Sequence, residues 1–531
     1  MSLTSFNFLV FLAITVVLYY IVPKRFQWLL LLIASYAFYL FSSVKAVFFI
    51  LATTVISYAA GRVMQGIRDD YKKQIPNLSK EEKRAAKKTT GDKIHRIQVL
   101  AIILDLGILI VVKYLNFLTS NLNSMFSLFH FDAKIPLVNM IVPLGISFYT
   151  FQSMGYLLDI GRGKYEAEKH FGKFALFVSF FPSIVQGPIN RYNDAGYQLR
   201  EPHAFSYDNL TYGSQLILWG FFKKLVIADR ISTIVSTIFS ATAGKYSGSV
   251  FFFGMIAYSI HIYCDFSGGI DITRGAAQLL GVDLPQNFQR PYFSTSVAEY
   301  WRRWHITLGA WMRDYVFYPI MLSKPVTKMG KFARKHLGSH AAKIVPSAIT
   351  SFIVFFLIGI WHGANWRYVA FGLYNAVVVA GGVALAPAFT KAVEKLKINT
   401  SAFSWRLFQM VRTFLVLGFA KLLVKATRLK EAFRIIKKIF TDVDLDFLFG
   451  VDGQMFKLGL DQKNMFVLFL SVLTLLTVSI LQETGMKMRE TVAKQNIVFR
   501  WLVWLVLLTI VLVFGVYGPA YSAADFIYQA Y

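Results

Sequence analysis

The chain has very little cysteine and little charge. Cys264 is its single cysteine among 531 residues, which excludes an intrachain disulfide framework and a cysteine-rich metal site. Asp, Glu, Lys and Arg together make up only 16% of the sequence. Charged side chains are therefore too few to give a body of this size the polar surface of a soluble protein.

Several familiar signatures are also missing. The sequence contains no Gly-rich phosphate loop, no zinc signature and no Ser-His-Asp motif, and we expect no bound metal or cofactor. It lacks an internal repeat, which argues against a transporter built from repeats. The 56 basic residues outnumber the 29 acidic ones, but they lie between apolar blocks. The positive-inside rule explains this excess, and we expect no nucleic-acid partner.

Apolar residues are abundant and come in blocks. They form 56% of the chain, and the mean hydropathy is +0.49. Many blocks approach the roughly 20 residues that a helix needs to cross the hydrocarbon core, where a segment must satisfy its own backbone hydrogen bonds. We therefore predict an all-α, polytopic membrane protein with about 11 to 13 membrane segments. The predicted helices cover 6–22, 27–41, 46–60, 97–119, 136–160, 211–228, 248–266, 345–362, 367–387, 406–424, 463–482 and 499–516.

Two further segments depart from this pattern. Residues 172–190 are apolar but are interrupted at Pro182 and at Gly187-Pro188. We predict a re-entrant element there, because irregular backbone at membrane depth needs protein or a water cavity around it. Residues 428–440 place apolar side chains on one face and basic ones elsewhere, which predicts a helix lying in the membrane interface.

The distribution of charge predicts the orientation. The positive-inside rule places the basic loop 62–96 in the cytoplasm and the N-terminus outside. The first apolar block has no small-residue cleavage site, which indicates a spanning helix rather than a signal peptide. We divide the chain into N-terminal membrane helices over 1–120, a central core over 121–387 and C-terminal membrane helices over 388–531.

Residues 258–320 carry an unusual number of charged side chains within apolar sequence. Charges at membrane depth are costly, so they tend to face protein or water and to be functional. Glu299 precedes Arg302 and Arg303 by three and four residues, a helical ion-pair spacing. The aromatic and basic cluster at 301–305 also fits an interfacial anchor, and the residues alone leave both interpretations open.

A glycine pair, Gly268 and Gly269, lies within the same segment. Glycine permits backbone conformations that other residues avoid, so we expect a sharp turn there. Asp265 and Asp271 flank the pair and fit helix caps as well as functional groups.

The predicted helix at 345–362 ends in the sequence GIWHGANW. His362 lies between Trp361 and Gly363, so a substrate can approach its ring closely. A neutral imidazole in a dry pocket suits general-base catalysis, because burial disfavours its charged form. A hydrogen-bonded structural histidine is the alternative that these residues leave open.

Five motifs resemble the membrane-bound O-acyltransferase (MBOAT) family, in particular its bacterial alginate O-acetylation branch, to which the teichoic-acid D-alanylation membrane protein is related. The motifs read PLGISFYTFQ, FFPSIVQGPINRY, YCDFSGGIDI, NFQRPYFSTSVAEYWRRWHITLGAWMRDYVFYPI and GIWHGANWRYVAFGL. The resemblance covers 1–440 well and the rest more loosely, although 526–528 resembles the family ending. It implies the MBOAT fold, with re-entrant and interfacial helices around a central tunnel, in a bacterial cell (inner) membrane.

The resemblance also implies roles for individual residues. His362 matches the essential histidine of the family, and His305, in WRRWH, matches a second functionally important one. We predict that both are catalytic and that six further residues bind substrate. These six are Trp361, Asn365, Asn287, Arg302, Arg303 and Asp314.

The implied reaction moves an acyl group, by preference acetyl, from a cytoplasmic thioester to an extracellular or periplasmic polysaccharide. The expected donor is acetyl-CoA or an acyl carrier protein, and the acyl group reaches the polysaccharide hydroxyls directly or through a secreted acyltransferase partner. Membrane lipid is the remaining expected partner. D-alanyl transfer to teichoic acid is the first alternative. The competing class is a transporter or flippase in which Asp265, Arg302 and Asp314 form a charged path.

Overall fold

The computed structural model describes residues 2–132, 134–139, 142–240, 244–444, 446–449 and 454–517. Within these ranges the protein is built from helices, and one antiparallel β-bridge joins Phe288 to Trp304. The predicted family ending at 526–528 lies outside the described residues. The chain divides into two units, of which the first comprises 1–214 and 273–285 and the second 215–272 and 286–531.

The first unit contains the N-terminal helices. They are α1 (Phe6–Ile21), α2 (Gln27–Ser42), α3 (Val47–Gln74), α4 (Lys80–Leu128), α5 (Ile146–Arg162), α6 (Phe171–Ser179), α7 (Phe181–Ile184), α8 (Tyr197–Arg200) and the start of α9 (Tyr207–Phe221). The last residues of α11, defined below, also belong to this unit.

A π-helical turn, Phe222–Ala228, continues α9 into the second unit. The helices that follow are α10 (Asp229–Ser240), α11 (Gly248–Leu279), α12 (Val297–Arg303), α13 (Ile306–Met312), α14 (Tyr318–Met321), α15 (Lys324–Leu337), α16 (Ala341–His362), α17 (Trp366–Lys395), α18 (Phe403–Lys425), α19 (Leu429–Thr441), α20 (Asp446–Phe449), α21 (Gln462–Glu483), α22 (Met488–Ala493) and α23 (Ile497–Phe514). Helix α19 lies where the interfacial helix was predicted.

Eight helices among the described residues are long and apolar enough to cross a membrane, namely α3, α4, α11, α16, α17, α18, α21 and α23. Helix α1 is apolar but shorter. This arrangement confirms the predicted all-α, polytopic membrane class.

The basic segment 62–96, which links two predicted membrane helices, is mostly helical. Helix α3 continues to Gln74, and α4 begins at Lys80. A capping box at Ser79 and Glu82 starts α4, because each side chain accepts a hydrogen bond from the backbone N–H of the other residue. The two helices therefore extend well beyond their apolar portions.

The interrupted segment 172–190 is not a single helix, in agreement with the sequence. Helix α6 ends at Ser179, α7 is one turn long, and 187–190 has no regular structure. Every residue from 174 to 190 is nevertheless buried. This irregular backbone is therefore surrounded by protein, as membrane proteins require.

Candidate functional site

The hairpin between α16 and α17 positions His362 at the last residue of α16. The two helices approach closely at Gly359 and Gly372, where a Cβ on Gly359 would lie 2.5 Å from the Gly372 Cα. Asn365 caps the start of α17, because its side-chain oxygen accepts a hydrogen bond from the Arg367 backbone N–H at 3.0 Å. The sequence thus folds into a tight turn with the imidazole at its end.

Aromatic rings surround the His362 imidazole. Its ring centroid lies 5.1 Å from that of Trp361, 5.7 Å from Phe371 and 6.5 Å from Tyr368. Gly363 permits the close packing of Tyr368, whose Cε2 would be 2.4 Å from a Cβ at that position. The imidazole is partly buried and held on several sides.

His362 lines a cavity of about 50 Å³ in the second unit. A buried water needs about 10–15 Å³ of such volume, so the cavity has room for a few heavy atoms, as in an acetyl group. Its walls are mainly aromatic, and Lys421 is the only Lys, Arg, Asp or Glu side chain that lines it among the described residues. They are formed by Tyr258, Ile262, Phe266, Tyr300, Trp301, Trp304, His362, Tyr368, Phe371, Leu417, Lys421 and Val424.

His305 lies between α12 and α13 and is buried, with a left-handed backbone φ of 48°. Two backbone hydrogen bonds fix the strand-like segment around it. The Gln289 N–H donates to the Arg303 carbonyl at 2.9 Å, and the Ile306 N–H donates to the Asn287 carbonyl at 3.0 Å. Arg303 and Ile306 flank His305 in the chain, so these two hydrogen bonds hold its backbone in this conformation.

The Asn287 side chain determines the His305 tautomer. The Thr307 backbone N–H can only donate, and it contacts Asn287 Oδ1 at 3.0 Å, which identifies that atom as the amide oxygen. His305 Nδ1 lies 3.3 Å from the same oxygen and must therefore carry the proton. Burial and the neighbouring His362 hold the pKa of His305 well below its ordinary value. The ring is thus neutral, with its lone pair on Nε2.

Trp361 connects the two predicted catalytic histidines. Its ring centroid lies 6.1 Å from that of His305 and 5.1 Å from that of His362. The structure therefore brings together four of the eight predicted site residues, because Asn287 contacts His305 directly. His362 lines the cavity, and the other three do not.

The remaining four predicted residues lie elsewhere. Arg303 pairs with Glu299 at 2.8 Å, as the spacing predicted, and with Glu483 at 3.0 Å. Arg302 is exposed, and Asp314 pairs with the adjacent Arg313. Asn365 is exposed and caps α17. None of these four lines the cavity.

The predicted turn at Gly268 and Gly269 is wrong, since α11 runs through both residues without interruption. Gly268 instead allows α11 to approach α9. A Cβ on Gly268 would lie 2.9 Å from the Gly220 carbonyl oxygen. The glycine therefore supports close helix packing, a role that small residues often have between membrane helices.

Asp265 and Asp271 are consequently in the interior of α11 and do not cap a helix. Lys224 Nζ lies 2.7 Å from Asp265 Oδ1 and 2.8 Å from Asp229 Oδ1. Lys223 Nζ lies 2.7 Å from Asp271 Oδ2. We call these five residues the paired lysine cluster, because each buried lysine has at least one carboxylate partner.

Lys421 is the basic residue of the cavity, besides His362, and the sequence analysis did not predict it as a site residue. It lies in α18 and is only 6% exposed. A signal was present, because an ionisable residue inside an apolar run such as 406–424 is functional by default.

Among the residues described, no group of three or more His, Cys, Asp or Glu side chains is arranged to hold a metal ion.

Comparison with known proteins agrees with the arrangement of the motifs. A model of the membrane-bound O-acyltransferase family matches residues 164–419. A probable alginate O-acetylase of Pseudomonas aeruginosa is 31% identical over 81% of this chain and 73% of its own length. A peptidoglycan O-acetyltransferase of Helicobacter pylori is 27% identical over 65% and 66%. A teichoic acid D-alanyltransferase of Bacillus subtilis is 31% identical over 45% and 59%.

Proposed function

Because the chain belongs to the membrane-bound O-acyltransferase family and is a multi-pass bacterial membrane O-acyltransferase, we propose that it transfers acetyl groups from a thioester donor to hydroxyls of a cell-envelope polysaccharide. The long similarity to alginate O-acetylases supports acetyl as the acyl group. The similarity to the peptidoglycan enzyme supports a polysaccharide acceptor. The D-alanyltransferases match a shorter part of the chain, so D-alanyl is the second choice.

The observation that carries this proposal is the placement of His362 in a small, largely aromatic cavity. An aromatic wall keeps water away from a reactive thioester. The His362 imidazole on that wall can then act as the base for the acceptor hydroxyl. The cavity volume of about 50 Å³ suits a short acyl group. A general base must be within hydrogen-bond reach of the hydroxyl proton, and the position of His362 on the cavity wall supports this role for a hydroxyl group bound inside.

In the proposed reaction, the unprotonated nitrogen of His362 removes the proton from the acceptor hydroxyl. The hydroxyl oxygen attacks the thioester carbonyl carbon, and the carbonyl electron pair moves to oxygen. The tetrahedral intermediate then collapses, the C–S bond breaks, and the thiolate takes the proton from the imidazolium. His305 orients His362 through the Trp361 ring, and its neutral ring avoids adding a positive charge beside the base.

We further propose that the donor is acetyl-CoA or an acetylated carrier protein on the cytoplasmic side. The acceptor then lies on the outer side and is the polysaccharide itself or a secreted acyltransferase. Proteoliposomes with labelled donor on one face test this direction. Label that never reaches an acceptor on the opposite face contradicts transfer across the membrane.

The central test compares His362→Ala with His340→Ala in purified protein, using acetyl-CoA and D-alanyl thioesters as separate donors. His340 is an exposed histidine at the other end of α16 and serves as the matched control. We expect His362→Ala to lose transfer by about 10²–10⁴-fold, the typical contribution of a positioned base. Transfer at the wild-type rate in a folded His362→Ala protein contradicts the assignment.

A further inference from the structure

Lys421 places a buried ammonium group on the wall of the His362 cavity. Four aromatic rings lie around its Nζ, at 4.7 Å from the Tyr292 centroid, 5.7 Å from those of Tyr300 and Trp304 and 5.9 Å from that of Phe414. Nζ also donates a hydrogen bond to Tyr292 Oη at 3.0 Å. Ring faces attract cations, so this aromatic cage favours the charged ammonium.

The cage supplies no negative charge. Within the described ranges, no Asp or Glu oxygen lies within 4.0 Å of the Lys421 Nζ, and no carboxylate lines the cavity. An uncompensated buried charge is costly, and proteins usually pair it. Lys421 therefore gives the cavity a positive potential that a developing negative charge would neutralise.

A second donor lies on the same wall. Trp301 lines the cavity, and its indole N–H is buried without a hydrogen-bond acceptor among the described residues. Indole nitrogen can only donate. A buried donor without a partner costs free energy unless a bound group accepts from it. The cavity thus presents one cation and one neutral donor.

We propose that Lys421, with Trp301 as the second donor, binds the oxyanion that forms during acyl transfer in this cavity. The inference rests on the proposed function and assigns a role to residues outside the histidine motifs. As the hydroxyl oxygen attacks, the carbonyl π electrons become a lone pair on oxygen, and the Lys421 ammonium and Trp301 N–H donate to that oxygen. The electron pair returns when the C–S bond breaks. Lys421 stays protonated throughout, and His362 carries the transferred proton.

The competing explanation is that Lys421 only fills the aromatic cage. Lys421→Met separates the two roles, because methionine is apolar and of similar length but has no charge. Lys421→Gln is a second, shorter variant that keeps a polar end. Folding of each variant is checked by size-exclusion chromatography and thermal unfolding, and Lys437→Met, at an exposed position on α19, is the control.

Steady-state kinetics with acetyl-CoA provide the first readout. We expect kcat to fall about 10²–10³-fold in Lys421→Met, the usual cost of removing one oxyanion donor, with little change in KM. Trp301→Phe should lower kcat less, because it removes a neutral donor. A kcat near the wild-type value in a folded Lys421 variant overturns the proposal, and so does a loss confined to KM.

Acetate binding provides a second readout that does not depend on transferase activity. Acetate is an anion of acetyl size, and it is titrated against chloride at constant ionic strength while thermal unfolding is recorded. We expect acetate to raise the unfolding temperature of wild type and not of Lys421→Met. Equal responses in both proteins, including no response in either, overturn the anion site. If acetate binding depends on Lys421 but wild type transfers no acyl group, the proposed function fails and the anion site stands.

Discussion

Two lysine sites in the second unit bury cations in opposite ways. In the paired lysine cluster, Lys224 lies between two carboxylates, and its side chain is 1% exposed. In the cavity, Lys421 is nearly as buried but has only a phenol oxygen and aromatic rings around it. Both lysines come from helices, and both interrupt apolar sequence. The difference between them is the presence or absence of an anion supplied by the protein.

This difference separates a structural role from a chemical one. Carboxylates already neutralise Lys223 and Lys224, so these lysines have little positive electrostatic potential left to attract a ligand. Their ion pairs instead join α11 to the π turn after α9. The charge of Lys421 remains available to a group that enters the cavity. Stability should therefore depend on the cluster, and activity should depend on Lys421.

The largest expected loss of stability is that of Lys224→Met. The variant leaves Asp229 and Asp265 buried without the cation that both contact. Breaking a buried ion pair in this way costs about 3–5 kcal/mol, so we expect a much lower unfolding temperature or no folded protein. Tryptophan fluorescence during thermal unfolding in detergent measures the effect. An unfolding temperature equal to that of Lys437→Met would contradict the structural role.

An intermediate effect is expected for Gly268→Ala, which disturbs the packing that holds the cluster together. Its Cβ would lie 2.9 Å from the Gly220 carbonyl oxygen and 3.2 Å from the Lys224 backbone nitrogen. Overpacking of this kind costs about 1–3 kcal/mol.

Gly381→Ala is the matched control, since nothing lies within 4 Å of a Cβ at that position in α17. There, alanine should stabilise the helix by up to about 1 kcal/mol, because it has the higher helix propensity. If Gly268→Ala raised the stability as Gly381→Ala does, the close contact between α9 and α11 at Gly268 would not limit the stability of the protein.

The smallest effect on stability is expected for Lys421→Met. A substitution of similar volume usually costs less than about 1.5 kcal/mol, and removal of an unpaired charge leaves no carboxylate without a partner. Thermal unfolding should therefore give nearly the wild-type temperature while transfer is lost. If Lys421→Met lowered the unfolding temperature as much as Lys224→Met does, Lys421 would have a structural role like that of the cluster, and the proposed difference between the two sites would be wrong.

Hydropathy located the helices well and their ends less well. The predicted segment 6–22 corresponds to α1, and 345–362 ends at the same residue as α16. Helix α4 begins far before the predicted 97, because a capping box starts a polar helix that hydropathy does not detect. Helix α5 begins at Ile146 and not at 136, since Gly145 before it has a φ of 69°.

The candidate site was predicted in part. The motif around His362 is local, and the small Gly363 beside it already indicated an accessible ring. Arg302, Arg303, Asp314 and Asn365 carried the expected chemistry, but the structure places them in ion pairs, at a cap or on the surface. Residue type alone does not tell whether a polar group faces a cavity or a neighbouring helix.

The sequence by itself determined that this is an all-α membrane protein with a histidine at the end of an apolar helix. That followed because a lipid-embedded backbone must satisfy its own hydrogen bonds, which ties apolar blocks to helices. Only the tertiary structure decided which buried lysines are neutralised. Partners such as Lys421 and Tyr292 come from distant parts of the chain, and no local pattern specifies the carboxylate or ring that a buried cation meets.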